Sequence, residues 1–421
     1  MAAAQLQAIA ARSGLRPWRV GGKTLLPVVQ GGMGVGISAG GLAGTVAGLG
    51  GVGTISSVDL RRHHPDLMAR TADVARQPDA KERVDTANLE ALEREIARAR
   101  QLAGGRGLIA VNVMKAVMEY EHYVRHSLAC GIDAVVVGAG LPLDLPELAR
   151  EYPDVALIPI LSDARGVQLL IRKWEKKGRL PDAIVIEHPR LAGGHLGAAK
   201  VADLGDRRFD FDVVLPEVVA FLRSAGLEGR IPLIPAGGIS CVEDIRRLQD
   251  LGASAVQLGT AFAVTRECDA HPEFKRILAG ARPEDIVEFT SVAGLPARAV
   301  RTPWLDRYLR QEDKLKGKAH EQRCNQWFDC LAHCGLRDGN ATWGQFCIDK
   351  YLGHALAGQV NQGLFFRGAG RVPFGSHIRS VQELMQWLLG GILPPGVPEN
   401  DMDGWPALER AEAVLETEHE E

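Results

Sequence analysis

The chain has 421 residues, 46% of them hydrophobic and 24% charged, so it can bury a barrel of about 250 residues and still form a second, smaller unit. Its formal net charge of −3 excludes a general attraction to nucleic acid or to anionic membranes. No uncharged apolar stretch of about 18 residues occurs, and residues 1–19 place arginines in a short alanine-rich helix where a signal peptide would be apolar. We therefore expect a cytoplasmic protein.

Eight apolar runs rich in β-branched residues follow one another along the chain, and Gly, Ser, Asn and His residues cluster at their carboxyl ends. Their hydrophobicity is continuous and does not alternate, which predicts strands buried on both faces and hence a parallel sheet covered by helices. The predicted strands are Pro27–Gly32, Gly51–Ser57, Leu108–Met114, Ala134–Gly140, Ala156–Ser162, Ala183–Pro189, Pro232–Gly238 and Ala255–Phe262.

Segments with helical spacing separate these strands. Eight strands alternating with helices favour a (β/α)8 barrel over a doubly wound sheet, in which reactive residues would cluster at a single switch point. In a barrel they gather at the carboxyl ends of all the strands, as the polar residues of this chain do. The predicted helices are Leu42–Gly48, Tyr120–Cys130, Val167–Lys177, Val213–Ala225 and Val242–Leu251.

The sixth predicted strand opens into the segment Ala-Gly-Gly-His-Leu-Gly at residues 192–197. Gly193 and Gly194 lack a Cβ, so a ligand can approach their backbone closely. The imidazole of His195 can then serve as acid, base or hydrogen-bond donor, and His195 is the predicted catalytic residue. The alternative is a loop histidine packed over a turn.

The seventh and eighth strands end in Pro235-Ala-Gly-Gly-Ile239 and Gln257-Leu-Gly-Thr260. In barrels the loops after these two strands commonly bind phosphate through backbone N–H groups. After the first strand, Gln30-Gly-Gly-Met-Gly34 offers small residues and one soft side chain suited to a planar ring. We therefore predict a flavin mononucleotide (FMN) site; a simple tight turn is the alternative for Ala-Gly-Gly alone. The predicted contacts are Gly31, Gly32, Met33, Gly237, Gly238, Gln257, Gly259 and Thr260.

The chain resembles the nitronate monooxygenase family, formerly called 2-nitropropane dioxygenases, whose pattern is shared by flavin-dependent enoyl-acyl-carrier-protein reductases. The resemblance covers roughly residues 20–300. It implies an FMN-binding barrel in which Asn112, Gly193, Gly238 and the strip 257–260 contact the cofactor and His195 faces the substrate over the flavin. The segments that carry it are Pro27-Val-Val-Gln-Gly-Gly-Met-Gly34, Val111-Asn-Val113, Ala192-Gly-Gly-His195, Ala236-Gly-Gly-Ile239 and Gln257-Leu-Gly-Thr260.

Two positions depart from that family pattern. His188 stands where a glutamine is common, and Leu191 where a glutamate precedes Ala-Gly-Gly-His. Because His188 lies at a strand end, we predict that it contacts flavin or substrate. The segment from Pro189 to Gly197 is similar to that of a bacterial branch of the family with a C-terminal extension.

We divide the chain into a barrel, residues 1–303, and a mainly helical extension, residues 304–421. The extension combines a charged helical connector at Arg307–Arg323, helices at Ile348–Leu356 and Val381–Leu389, and an acidic tail at Glu409–Glu421. Its cysteines match no standard zinc or ferredoxin spacing, yet they crowd together. A zinc or iron–sulfur site and a set of reduced structural thiols both remain open. The four cysteines are Cys324, Cys330, Cys334 and Cys347.

Three functions are compatible with these features. The first is a nitronate monooxygenase that oxidises alkyl nitronates with O2, with a small-molecule substrate and no nucleic acid or membrane partner. The second is a flavin reductase in which NAD(P)H supplies electrons for an enoyl thioester or a quinone. The third is a flavin electron-relay module whose cysteine-bearing extension serves a protein partner. Whether the chain forms a homo-oligomer is left open.

Overall fold

A computed structural model describes residues 2–74, 77–321, 324, 328 and 330–398. Within these residues the strands are β1 (Trp18–Val20), β2 (Lys23–Leu25), β3 (Val28–Gln30), β4 (Val52–Ser56), β5 (Leu108–Met114), β6 (Ala134–Gly138), β7 (Ala156–Leu161), β8 (Ile184–Glu187), β9 (Gly194–His195), β10 (Leu233–Ala236), β11 (Val256–Leu258), β12 (Ile286–Thr290) and β13 (Pro296–Val300).

The predicted barrel helices are all present, and each begins within three residues of its predicted start. Short 3₁₀ turns occupy Leu60–His63, Val201–Asp203, Arg207–Phe209, Pro283–Asp285 and Ala319–Glu321. In the described residues the α-helices are α1 (Ala2–Arg12), α2 (Gly40–Gly48), α3 (Pro65–Arg70), α4 (Ala80–Ala103), α5 (Tyr120–Ala129), α6 (Leu145–Leu148), α7 (Ala164–Glu175), α8 (Phe211–Ser224), α9 (Val242–Asp250), α10 (Thr260–Ala263), α11 (Pro272–Gly280), α12 (Pro303–Gly317), α13 (Gly335–Asp338), α14 (Ile348–Leu356) and α15 (Val381–Gly390).

Eight parallel strands close into a barrel in the order β3-β4-β5-β6-β7-β8-β10-β11. Closure is made by β11 on β3, where Val256 pairs with Val28 and Leu258 with Gln30. The predicted (β/α)8 barrel is therefore confirmed, with all eight predicted runs contributing one strand each.

The strands are apolar on both faces because each face meets a different core. One set of side chains, including Val52, Val136 and Ile234, fills the barrel interior. Residues between them, such as Ile55 and Val135, point outward and pack under the helices. The β1–β2 hairpin adds Trp18 and its neighbours to the interior cluster. Continuous hydrophobicity thus follows from two-sided burial.

A second, three-stranded sheet lies beside the barrel in the order β12-β13-β9. Its β9 is the two-residue strand Gly194–His195, in which His195 pairs with Ala297 and Gly194 with Arg298. Backbone pairing with β13 therefore fixes the conformation of the glycine-rich loop at Gly194 and His195.

The chain after residue 303 packs into the same outer core as the barrel helices. Leu384 and Leu388 of α15 belong to that core, and α15 contacts α1 and α9. Near the strand ends, Arg62 donates to Asp349 of α14 at 2.8 Å and lies 2.5 Å from Asp59. The division at residue 303 stays a prediction, and the predicted acidic tail lies outside the described residues.

The described part of the chain contains no helix that is both long and apolar enough to span a lipid bilayer.

Gly53 of β4 packs so closely against α2, the first helix of the barrel, that it leaves no room for a side chain. A Cβ built on Gly53 would lie 1.8 Å from the carbonyl oxygen of Ala43 in α2. We therefore expect Gly53→Ala to lower the free energy of unfolding by about 1–3 kcal/mol, as overpacked cores do. Urea denaturation measures this change. Gly205→Ala, where nothing lies within 4 Å of the added Cβ, is the control and should leave stability nearly unchanged. Equal midpoints for the two variants would contradict the close approach.

Candidate cofactor and substrate site

A cavity of about 580 Å³ opens at the carboxyl ends of the barrel strands, within the range of small-molecule sites. Residues that follow each of the eight barrel strands contribute to its wall, and the extension adds further residues. Much of the wall is apolar, and Leu141 at its edge is 37% exposed. The cavity thus lies where barrels place their active sites.

The structure brings together the residues predicted at the ring end of the cofactor. A Cβ on Gly31 would lie 3.1 Å from the side chain of Gln257, and one on Gly32 would lie 2.4 Å from Cβ of Asn112. Met33 approaches Gly259, whose added Cβ would lie 3.6 Å from Sδ. All of these residues line the cavity.

The predicted phosphate end combines barrel loops with the extension. Gly237 and Gly238 have φ angles of +115° and +74°, which favour glycine, and both line the cavity. Thr260 also lines it, and its Oγ1 accepts a hydrogen bond from the backbone N–H of Gly368 at 3.0 Å. A Cβ on Gly370 would lie 3.1 Å from Cα of Gly238. Residues 368–370 of the extension therefore form part of the predicted phosphate end of the cavity.

Gly193 lines the cavity, but the close approach of the C-terminal extension is the first reason why this position requires a glycine. A Cβ there would lie 2.4 Å from the backbone of both Arg367 and Gly368. The close approach that the sequence analysis assigned to a ligand is thus already made by the chain itself. A bulkier residue at 193 would force the extension away from the loop.

His195 lines the cavity, and its Nε2 lies 3.0 Å from Oγ of Ser291. Burial lowers the pKa of His195 to about 4, so the imidazole is neutral at pH 7. Ser291 Oγ also accepts a hydrogen bond from the N–H of Ala293 at 3.2 Å, which fixes the position of the hydroxyl group beside the ring. The edge of the Phe366 ring packs against the imidazole, with the ring centroids 5.6 Å apart. A neutral, oriented imidazole suits proton transfer better than binding of an anion by charge.

The buried side chain of Arg298 supports the loop before His195. Its Nη1 donates to the carbonyl oxygens of Pro189, at 3.1 Å, and Ala192. Its Nε donates to Glu288 at 3.1 Å, and the side chain is 1% exposed. The buried guanidinium of Arg298 therefore stabilises this loop, and Glu288 neutralises its charge.

His188 is not brought to this site. Its side chain is fully buried, and it is absent from the described residues that line the cavity. Its Nε2 lies 3.3 Å from Asp210, and its ring meets the edge of Phe211. The predicted flavin contact at His188 is thus not supported. Successive residues of a strand point to opposite sides, and Glu187, not His188, lines the cavity.

Glu187, at the end of β8, was missed by the sequence analysis. It lines the cavity, and burial raises its pKa to about 7 against the opposing effect of Arg298. A Cβ on Gly197 would lie 1.8 Å from Oγ of Ser162 and 3.4 Å from Oε2 of Glu187, so these two side chains share one corner. The sequence could have indicated this residue, because a carboxylate at the carboxyl end of a barrel strand is a candidate site residue. Such a group can give or take a proton near neutral pH.

Arg371 is the second missed residue. It lines the cavity, and its Nε donates to Oγ of Ser240 at 2.9 Å. Among the described residues it forms no ion pair with a carboxylate, so its charge is available to an anionic ligand. Arg371 lies 131 residues beyond Ser240 in the sequence, and no local sequence pattern marks it.

The four cysteines of the extension do not form a preformed mononuclear metal site. In residues 324, 328 and 330–398, no three of their sulfur atoms lie within 4.8 Å of one another. Burial raises the pKa of Cys330 and of Cys334, which favours protonated thiols in the absence of a metal. Cys347 is buried, and Cys324 is half-buried. A metal or cluster at these residues stays a prediction.

Comparison with known proteins agrees with this architecture. The family model described as "Nitronate monooxygenase" matches residues 22–390, which is most of the chain. The chain belongs to the nitronate monooxygenase family. A nitronate monooxygenase of Pseudomonas aeruginosa is 33% identical over 119 residues, 28% of this chain and 31% of that protein. A probable nitronate monooxygenase of Bacillus subtilis is 29% identical over 123 residues, 29% of this chain and 33% of that protein. The matches thus span about a third of these curated relatives.

Two solved structures share the fold of this nitronate monooxygenase family member. FabK from Thermotoga maritima superposes with a TM-score of 0.60 at 23% identity, covering 94% of this chain and 96% of that one. Nitroalkane oxidase from Streptomyces ansochromogenes gives a TM-score of 0.57 at 20% identity, covering 86% and 94%. At these identities the likeness concerns the fold.

The residues of the cavity fit the flavin mononucleotide that the family resemblance implies. Small residues, Gly31 and Gly32, form a flat wall against Asn112 and Gln257, where any Cβ would intrude. At the other end, Gly237 and Gly238 have positive φ angles, and Ser240 in the same loop accepts a hydrogen bond from Nε of Arg371. A planar ring system at one end and a phosphate at the other match these two surfaces.

Replacing Arg371 with Gln should weaken FMN binding about 10–100-fold, because a hydrogen bond to a charged group contributes about 1.5–3 kcal/mol. Quenching of flavin fluorescence on titration of the apoprotein measures this affinity. Arg266→Gln removes an arginine whose side chain is 58% exposed, outside the cavity wall, and should bind FMN as the parent does. Equal affinities of the two variants would show that Arg371 does not contact the cofactor.

Replacing Glu187 with Gln should increase the free energy of unfolding relative to the parent protein, and this difference should grow as the pH rises. The raised pKa means that the parent loses stability between pH 4.5, the ordinary value, and about 7, where the folded state must ionise a buried carboxyl. The variant avoids this loss, which amounts to about 3 kcal/mol at most. Urea denaturation at several pH values tests the trend. A constant difference between the two proteins from pH 4 to 8 would contradict it.

Proposed function

We propose that this protein is an FMN-dependent oxidoreductase that oxidises alkyl nitronates with O2 to a carbonyl product and nitrite. The observation that carries the proposal is His195 on the wall of the glycine-lined cavity, in a chain that belongs to the nitronate monooxygenase family. Bound flavin would supply the redox chemistry, accepting electrons from the substrate and passing them to oxygen.

The protein's own groups would position the substrate and handle its proton. The neutral imidazole of His195 can remove a proton from a nitroalkane, or donate a hydrogen bond to the oxygen of a nitronate already formed. The hydrogen bond between Nε2 of His195 and Oγ of Ser291 orients the ring. Apolar residues on the cavity wall, such as Val117 and Leu141, favour substrates with an alkyl chain.

A second candidate function is supported by Glu187. Reduction of an enoyl thioester or a quinone with electrons from NAD(P)H requires a proton donor as well as a hydride. A carboxylic acid with a pKa near 7 on the cavity wall can supply that proton at physiological pH. Ser162 beside it can hold the acceptor oxygen.

Anaerobic mixing of the FMN-loaded protein with single reductants separates the two functions. Bleaching of the flavin by an alkyl nitronate, followed by nitrite release on admitting O2, is the result expected of a nitronate monooxygenase. Bleaching by NADH or NADPH without any response to nitronates would overturn the proposal in favour of the reductase.

Replacing His195 with Asn should lower kcat/KM about 10²–10⁴-fold if the imidazole transfers a proton, while FMN binding persists because the phosphate end of the cavity lies elsewhere. Turnover with a nitroalkane and flavin content per chain are the two measurements. His320→Asn, a surface histidine with a side chain 79% exposed, is the matched control and should behave as the parent. Unchanged turnover of the His195 variant would leave this residue a structural role only.

A further inference from the structure

The outer surface of the barrel carries a cluster of metal-ligating side chains that takes no part in the cavity. Glu93 lies on α4, His126 on α5, and Cys130 directly after α5. One carboxylate oxygen, one imidazole nitrogen and the sulfur lie within 4.8 Å of one another. None of the three residues is among those that line the cavity.

Local structure explains how these groups converge. His126 and Cys130 are four residues apart, so they occupy the same face of one helical turn, and Cys130 N–H donates to the carbonyl of His126 at 2.9 Å. Helices α4 and α5 pack against each other, which brings Glu93 to that face. The cluster therefore bridges two neighbouring helices.

The state of the imidazole points to a ligand. Nε2 of His126 is shielded from solvent and makes no hydrogen bond within the described residues. Leaving a buried polar nitrogen without a partner costs about 1–3 kcal/mol, which a bound cation would recover. Glu93 is exposed, so it can move toward an ion without disturbing the core.

We propose that Glu93, His126 and Cys130 form a binding site for a zinc-like divalent cation that joins α4 to α5. Thiolate, imidazole and carboxylate are all zinc ligands, and together they disfavour magnesium and calcium, which prefer oxygen alone. A tetrahedral zinc site needs ligand atoms about 3.3–3.8 Å apart. Because the three ligand atoms already lie within 4.8 Å of one another, they need to close by no more than about 1.5 Å. Water would fill the fourth position.

Two charges bear on the affinity of the site. Burial and then the carboxylate of Glu93 raise the pKa of Cys130. Arg100 acts in the opposite direction on this thiol and donates to the carbonyl of Gly131.

The test is titration of the metal-stripped FMN-loaded protein with Zn²⁺ in competition with a chromophoric chelator. The parent should bind one equivalent that Glu93→Gln, His126→Ala and Cys130→Ser each weaken about 10–100-fold or more. His122→Ala, on the same helix but 71% exposed and beside Glu119, should retain parental affinity. Because Glu93 is exposed, its variant tests the site without a risk to folding.

Cobalt gives a second readout. Co²⁺ in place of zinc should produce visible d–d bands of a tetrahedral thiolate-containing site, and these should vanish in Cys130→Ser. Parental zinc affinity in the Glu93 and His126 variants would overturn the proposal. So would loss of the equivalent in Cys334→Ser, which would place the ion in the extension.

Discussion

The position of His195 depends on the burial of the Arg298 guanidinium. This side chain, 1% exposed, donates to two carbonyl oxygens of the loop that follows β8 and pairs with Glu288. A buried cation is stable only when its hydrogen bonds and its counterion are satisfied, so the loop carbonyls cannot move independently. The same residue contributes backbone pairing to Gly194. Arg298 thus connects the barrel, the small sheet and the loop that carries His195, and its charge also opposes the rise in the pKa of Glu187.

The extension completes the site and is not an appendage to it. The segment from Phe366 to Arg371 lies across the ends of three barrel strands, contacting His195, Gly193, Thr260 and Ser240 in turn. Asp349 of α14 lies on the cavity wall, where burial and the nearby Asp59 raise its pKa. The barrel alone would therefore present a more open cavity with a different electrostatic character.

Much of the barrel could be predicted because its determinants are local. Each strand is a continuous apolar run, which can be recognised without knowing how the side chains pack. Once the barrel is assumed, the glycines that follow β3, β10 and β11 must lie around one cavity at its carboxyl end. The long helix α4 was not predicted, because its buried face consists largely of alanines such as Ala87, Ala91 and Ala99, which weaken the helical pattern. His188 was misplaced because the direction of a side chain at a strand end depends on where the strand stops.

The site residues that escaped prediction are those brought in over long distances. Arg371 is adjacent to Ser240 only after the extension has folded across the barrel, and Ser291 reaches His195 only through the β12–β13 hairpin. Neither contact has a periodicity or a motif. Glu187 is different, because a carboxylate at the end of a strand could have been recognised in the sequence. The predicted contact with flavin or substrate was assigned to its neighbour His188 instead.

The close approach of Gly193 to the backbone of residues 367 and 368 has a thermodynamic consequence. The segment 367–370 contacts both Gly193, in the loop that carries His195, and Gly238 on the cavity wall. Docking of the extension and binding of a ligand in the cavity therefore depend on the same interactions. Two equilibria that share interactions are linked, and each must shift the other by the same free energy. A ligand in the cavity should therefore protect the amides of this segment from hydrogen exchange. The extension would then report on ligand binding although it contains none of the predicted flavin-binding motifs.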